Sequence, residues 1–184
     1  MTYKVVNMVA STRLTNNIDL NEVSAMLDIP YEQEQFPGMV YRVETPKVCL
    51  LLFRSGRCVA AGAKDADAVR QAVKVLYDDL AENHFDLWNY EDIDTNLQNI
   101  VVTHSIGYEI DLESLVISLP FDRSEYEPEQ FPGLIYHLDD PKVVFLIFAS
   151  GKCVISGSKN FEDVESAITK IQSEFEEFGD YIKA

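Results

Sequence analysis

Apolar residues along this chain recur with two periods. Residues 3–12 alternate, with Asn7, Val9 and Ser11 on one side and Val6, Met8 and Ala10 on the other, which predicts a strand. Asp19 is placed to cap a short helix, with Glu22 as its capping-box partner. Leu20, Val23 and Leu27 give that helix one buried stripe before Pro30 ends it. Alternation returns over 39–44, 47–53 and 57–63, with turn residues at 44–47 and 55–56, and predicts antiparallel strands. The period then changes. Val69, Ala72, Val73, Leu76, Tyr77 and Leu80 mark one face of a helix over 65–82, capped by Asp65. Residues 83–95 form an acidic linker, with Phe85 and Trp88 as anchors onto the body.

The same order then recurs. Residues 96–104 match the first strand, with Asn99 answering Asn7, and 111–117 match the short helix. Residues 126–159 repeat 31–64 without a gap and agree at 19 of 34 positions. Three extra residues before Tyr126 separate the two offsets. Strands are predicted at 133–139, 142–148 and 152–158. A last helix starts near Asn160 and buries Val164, Ala167, Ile168, Ile171, Phe175 and Phe178. Each half reads β-α-β-β-β-β-α, counting a short strand before each Phe-Pro-Gly loop. The halves divide at 1–92 and 93–184, and antiparallel strands with helices on one side make an α+β fold.

If helices cover one sheet face, the other is open. In half one the open face would carry Asn7, Val9, Cys49, Leu51, Phe53, Val59 and Ala61. In half two it would carry Asn99, Val101, Val144, Leu146, Phe148, Val154 and Ser156. So large an apolar surface marks a binding site. Each half also holds two phenylalanines 17 residues apart, Phe36 with Phe53 and Phe131 with Phe148.

Charge sharpens this picture. The net charge of −16 alone argues against nucleic acid. Yet Arg42, Lys47, Arg54, Arg57 and Lys64 face a single acid, Glu44, over 42–64, while acids crowd the helices and linker. One face can therefore be locally basic on an acidic protein. The three cysteines lack metal-ligand spacing and sit in apolar strand patterns. No apolar run approaches the roughly 20 residues that span a bilayer, and the start lacks the features of a signal peptide, which points to an intracellular protein. Nucleophile–base constellations, phosphate-binding loops and zinc motifs are missing, and His84, His104 and His137 are scattered. The pattern is not an enzyme's, and no cofactor is implied. A protein-interaction or ligand-binding module built on the same duplicated fold is the alternative to a DNA binder.

The doubled EQFPG and F-x-SG-[RK]-C-V blocks, with an asparagine in each half's first strand, resemble the TATA-box-binding protein family over essentially the whole chain. The short acidic C-terminal tail and the absence of an N-terminal extension resemble the archaeal form. The resemblance implies a pseudo-twofold saddle with a continuous antiparallel sheet on its concave side and helices on its convex side. It implies a general transcription initiation factor that binds the TATA box of promoter DNA in the minor groove. Phe36 with Phe53, and Phe131 with Phe148, would intercalate as wedges. Asn7, Val9, Leu51, Val59, Ala61, Asn99, Val101, Val144, Leu146, Val154 and Ser156 would meet the groove floor. Arg42, Ser55, Arg57, Lys64, Ser150, Lys152 and Lys159 match phosphate-contacting positions, and Glu127 and Glu129 the contact to transcription factor B. RNA polymerase would be engaged indirectly, in an archaeal cytoplasm at the nucleoid. The resemblance also admits a homodimer when the chain is free of DNA.

Two positions depart from the family pattern. Ala61 replaces a threonine, while the matching Ser156 keeps a hydroxyl. His137 stands where half one has Arg42, so half two should hold phosphate more weakly unless His137 is protonated.

Overall fold

The computed structural model describes residues 2–184. Its elements run β1 (Tyr3–Arg13), α1 (Leu20–Leu27), β2 (Gly38–Val43), β3 (Val48–Phe53), β4 (Arg57–Ala63), α2 (Ala66–Glu82), β5 (Thr95–Ser105), α3 (Leu112–Ser118), β6 (Ser124–Glu125), β7 (Leu134–Asp139), β8 (Lys142–Ile147), β9 (Lys152–Ser158) and α4 (Phe161–Phe178). They form two compact units. One holds Asn7–Gln98, the other Asn99–Ala184 with residues 2–6.

In the first unit the antiparallel strand order is β2-β3-β4-β1. Alternation assigns the faces as the sequence predicts. Val48, Leu50 and Leu52 of β3 and Cys58 and Ala60 of β4 are buried with Val69, Val73, Leu76 and Leu80 of α2. Asp19 caps α1 by accepting from the N–H groups of Asn21 and Glu22, and Asp65 caps α2 through Ala68 N–H at 2.7 Å. Val6 departs from its expected face. It precedes Met8, the first β1 residue paired to β4, and is exposed rather than buried with Met8 and Ala10.

The second unit repeats the plan as β5-β9-β8-β7-β6. Val143, Phe145, Ile147, Cys153 and Ile155 are buried with Val164, Ala167, Ile168, Ile171 and Phe175 of α4. Phe178, expected in that core, ends α4 only half-buried. The short strand before the Phe-Pro-Gly loop forms only here, as β6 opposite Tyr136 and Ile135. Its counterpart in the first unit is three residues shorter, and α1 is followed directly by β2 there.

A tyrosine ties helix to sheet in each unit. The Tyr41 hydroxyl donates to Asp79 of α2, and Tyr136 to Glu174 of α4 at 3.2 Å. Burial, then the carboxylate partner, raises both phenols, Tyr136 to about 12. Burial likewise pushes the Cys58 and Cys153 thiols up to about 12, so neither is a poised nucleophile.

Candidate nucleic-acid interface

The sheet face away from the helices is apolar but not covered within either unit. In the first unit Leu51 pairs with Val59 and Cys49 with Ala61. All four are only partly buried, as are Asn7, Val9 and Phe53. In the second unit Leu146 pairs with Val154 and Val144 with Ser156, and these are partly buried with Asn99, Val101 and Phe148. Every residue expected on the open face is therefore there.

Each phenylalanine pair is assembled from a loop and a strand end. Phe36 meets Phe53 edge to face, with ring centroids 6.1 Å apart and planes at 61°. Phe131 meets Phe148 the same way, at 5.9 Å and 64°. This is the favoured arrangement of two aromatic quadrupoles. The loop ring is set by its own turn, since Phe36 N–H donates to Glu32 C=O at 3.1 Å and Phe131 N–H to Glu127 C=O at 3.0 Å.

The glycine of each Phe-Pro-Gly block has a role that a turn reading misses. Neither Gly38 nor Gly133 has a positive φ. Instead, a Cβ on Gly38 would stand 2.7 Å from Phe36 Cε2 and 2.9 Å from Phe53 Cε1. On Gly133 it would stand 2.7 Å from Phe131 Cε2 and 3.1 Å from Phe148 Cε1. The missing side chain is the space in which the two rings meet.

The asparagines sit at bulges. Met8 pairs with Ala63 and Ala10 with Ala60, so Ala61 and Gly62 together oppose Val9. Ser156 and Gly157 oppose Val101 in the same way. A bulge removes an N–H from the ladder. Asn7 Oδ1 accepts that of Gly62 at 2.8 Å, and Asn99 Oδ1 that of Gly157 at 2.7 Å. With its oxygen occupied, each amide has its NH2 group left to donate, on the open face. The sequence signal was present, an asparagine in an otherwise apolar stripe, but the glycine partner was not legible.

Arg42, Arg57, Lys64, Lys152 and Lys159 are exposed. Among the described residues the ion pairs use other cations, namely Arg70, Lys74, Arg123, Lys170 and Lys183. The five candidate phosphate ligands are thus uncommitted. Ser55 and Ser150 lie in the turns that follow Phe53 and Phe148, their hydroxyl oxygens 3.4 Å from the N–H groups of Arg57 and Lys152. Register places Arg42 opposite Cys49 and His137 opposite Val144, so the arginine-to-histidine exchange falls at matching sites. Glu127 and Glu129 are exposed in the loop before Phe131, as Glu32 and Glu34 are before Phe36. Among the described residues no His, Cys, Asp and Glu group could hold a metal, and no helix is long and apolar enough to cross a membrane.

Comparison with known proteins bears on this geometry. The pattern of transcription factor TFIID (or TATA-binding protein, TBP) matches residues 2–83 and 94–178. The TATA-box-binding protein of Methanocaldococcus jannaschii is 48% identical over 169 residues, covering 91% of this chain and 90% of that protein. TATA-box-binding protein E of Halobacterium salinarum is 44% identical over 179 residues, covering 97% and 95%. The solved structure of Methanococcus jannaschii TBP superposes with a TM-score of 0.87 at 46% identity, over 96% of this chain and 99% of that one. Extent, identity and fold agree, and the chain belongs to the TATA-binding protein family of transcription factors.

Proposed function

We propose that this chain is a general transcription factor that binds the TATA box of promoters through the minor groove, bends the DNA with its phenylalanine pairs and nucleates the pre-initiation complex. The observation that carries the reading is the repeated site: one exposed-edge aromatic pair, one free amide donor and one apolar strand face in each unit. Repeats 1–92 and 93–184 each supply a half-site. The paired rings pry open a base step, which costs a few kcal/mol of stacking. The unstacked, widened groove then accepts Val9, Leu51, Val59 and Ala61 from one half, and Val101, Val144, Leu146, Val154 and Ser156 from the other. A flat apolar surface tolerates A·T and T·A alike, whereas the exocyclic amine of G·C obstructs it. Asn7 and Asn99 donate to adenine N3 or thymine O2. Arg42, Ser55, Arg57, Lys64, Ser150, Lys152 and Lys159 hold phosphates and fix register.

Transcription factor B is the proposed partner at Glu127 and Glu129, with RNA polymerase recruited through it, and the archaeal nucleoid is the proposed location. A nuclease footprint over a TATA-containing promoter tests this. Protection confined to the TATA element, extended on adding transcription factor B, is expected. Protection spread evenly along the promoter would contradict it.

The amide geometry makes a sharper prediction. Asn7→Asp keeps the oxygen that accepts from Gly62 but replaces the donor facing the groove with an acceptor. TATA affinity should fall roughly 10-fold or more, from about 1–3 kcal/mol per misread base contact, with the thermal midpoint nearly unchanged. Isothermal titration beside a melting curve separates the two. In the other half, His137→Arg should strengthen binding a few-fold. It should also steepen the slope of log K against log salt by about 0.9, for one added phosphate contact. An unchanged slope would remove position 137 from the phosphate set.

A further inference from the structure

The turns that carry the strand-end phenylalanines share one backbone frame. In the first unit Gly56 N–H donates to Phe53 C=O at 2.9 Å, while Leu14 N–H and Ile18 N–H donate to Gly56 and Arg54 carbonyls. In the second, Gly151 N–H donates to Phe148 C=O at 2.9 Å, while Ile106 and Ile110 N–H groups reach Gly151 and Ala149. Among the described residues, only the first turn has a side chain hydrogen-bonded across it. Arg13, the last residue of β1, directs Nε to Ser55 C=O at 3.1 Å and Thr15 C=O at 3.2 Å, and Nη2 to Asn16 C=O at 3.3 Å. Its Cζ lies over the Trp88 ring, 5.6 Å from the centroid. Trp88 is itself pinned: its N–H donates to Leu14 C=O at 2.8 Å, and its carbonyl accepts from Tyr77 of α2 at 2.6 Å. The corresponding residue of the second unit is Ser105, which cannot reach across.

We infer that Arg13 is a positioning residue for DNA binding: clasped between Trp88 and the Ser55 carbonyl, it presets the turn that carries Phe53, Ser55 and Arg57, and so makes the two wedges unequal. The inference rests on the proposed wedge role of the phenylalanines. A planar fork is what the contact needs, since three carbonyls on separate residues are reached from one rigid group that also stacks on an indole. The bonds to Ser55 and Asn16 are exposed, that to Thr15 is part-buried, and each is individually weak. Their joint effect is to remove freedom from a turn that must be ordered when DNA binds, and pre-ordering strengthens binding without a new contact.

A double-mutant cycle on affinity for a TATA duplex tests this. Arg13→Ala is measured in the parent chain, in Phe53→Ala and in Phe148→Ala. The expected loss is about 3- to 10-fold in the parent and in Phe148→Ala, and less than 2-fold in Phe53→Ala, where no wedge is left to position. Arg13→Lys, which keeps the charge without the fork, should lose as much as Arg13→Ala. Trp88 is the single tryptophan of the chain, so its emission should shift in both variants and report the opened clasp. Equal losses in all three backgrounds, no loss in any, or full rescue by lysine would overturn the inference. A Phe53→Ala chain that binds and bends like the parent would instead remove the wedge reading beneath it.

Discussion

Replacing Phe131 and Phe148 together with alanine should leave the chain folded, weaken binding to a TATA duplex roughly 100-fold, and abolish most of the bend. The magnitude follows from stacking worth about 1–3 kcal/mol per aromatic ring, less the unstacking that is no longer needed. Stability should hold because these rings are not core. Both are partly exposed, and they touch each other edge to face. Differential scanning calorimetry reads the fold, and energy transfer between end-labelled strands reads the bend. Gly133→Ala approaches the same result without touching a ring. Its Cβ would stand 2.7 Å from Phe131 and 3.1 Å from Phe148, so the Phe131 ring must shift from its place against Phe148. A double variant that still bends DNA normally would show that the pair is packing rather than wedge.

The second large effect is on folding. Gly56→Ala and Gly151→Ala should each destabilise the chain by about 3 kcal/mol or more, lowering the melting midpoint by roughly 6–12 °C. Gly56 has φ +82° and Gly151 φ +84°, in the region that favours glycine. Strain alone is the smaller part. An added Cβ would lie 2.0 Å from the Thr15 carbonyl oxygen in one case and from that of Tyr108 in the other. Both are backbone atoms, held where the neighbouring loop closes on the turn, and cannot swing aside as a side chain can. Gly107→Ala is the control. Its φ is +103° with nothing within 4 Å, so it carries strain without a clash and should cost about 1 kcal/mol. Equal losses at all three sites would mean that close approach contributes nothing.

Much of this site was legible in the sequence, for a physical reason. Strand alternation has a period of two, so locating one buried residue assigns a whole strand. Fixing Leu50 inward places Cys49, Leu51 and Phe53 outward, and duplication repeats the inference at Val144, Leu146 and Phe148. Features that depend on distance between segments were not legible. The missing side chain of Gly38 matters because Phe36 and Phe53 converge on it from opposite sides, and nothing local to Phe-Pro-Gly says so. The Asn7 to Gly62 bond needs a bulge that shifts register by one residue, which alternation cannot reveal. Nothing local to Arg13 marks it out in the sequence. Its partners lie at Ser55 and Trp88, 42 and 75 positions away. The strand expected before Phe36 failed for a simpler reason, because the first half is three residues shorter there and only the second forms it, at Ser124–Glu125.

Acidity also becomes intelligible. Asp78, Asp79 and Glu82 of α2, with Glu174, Glu176 and Glu177 of α4, belong to helices packed on the buried sheet face, whereas Arg57, Lys64, Lys152 and Lys159 are exposed at strand and turn ends. The net charge is thus a property of the helices more than of the open face.

Energy transfer across a doubly labelled duplex, titrated with the unmodified chain at fixed salt, tests the central claim most directly. A duplex with a TATA element at its centre should bind and bend, with transfer rising to a plateau. The same duplex with a G·C-only centre should show neither at that concentration. Equal affinity for the two, or tight binding to the TATA duplex with no change in transfer, would contradict the account.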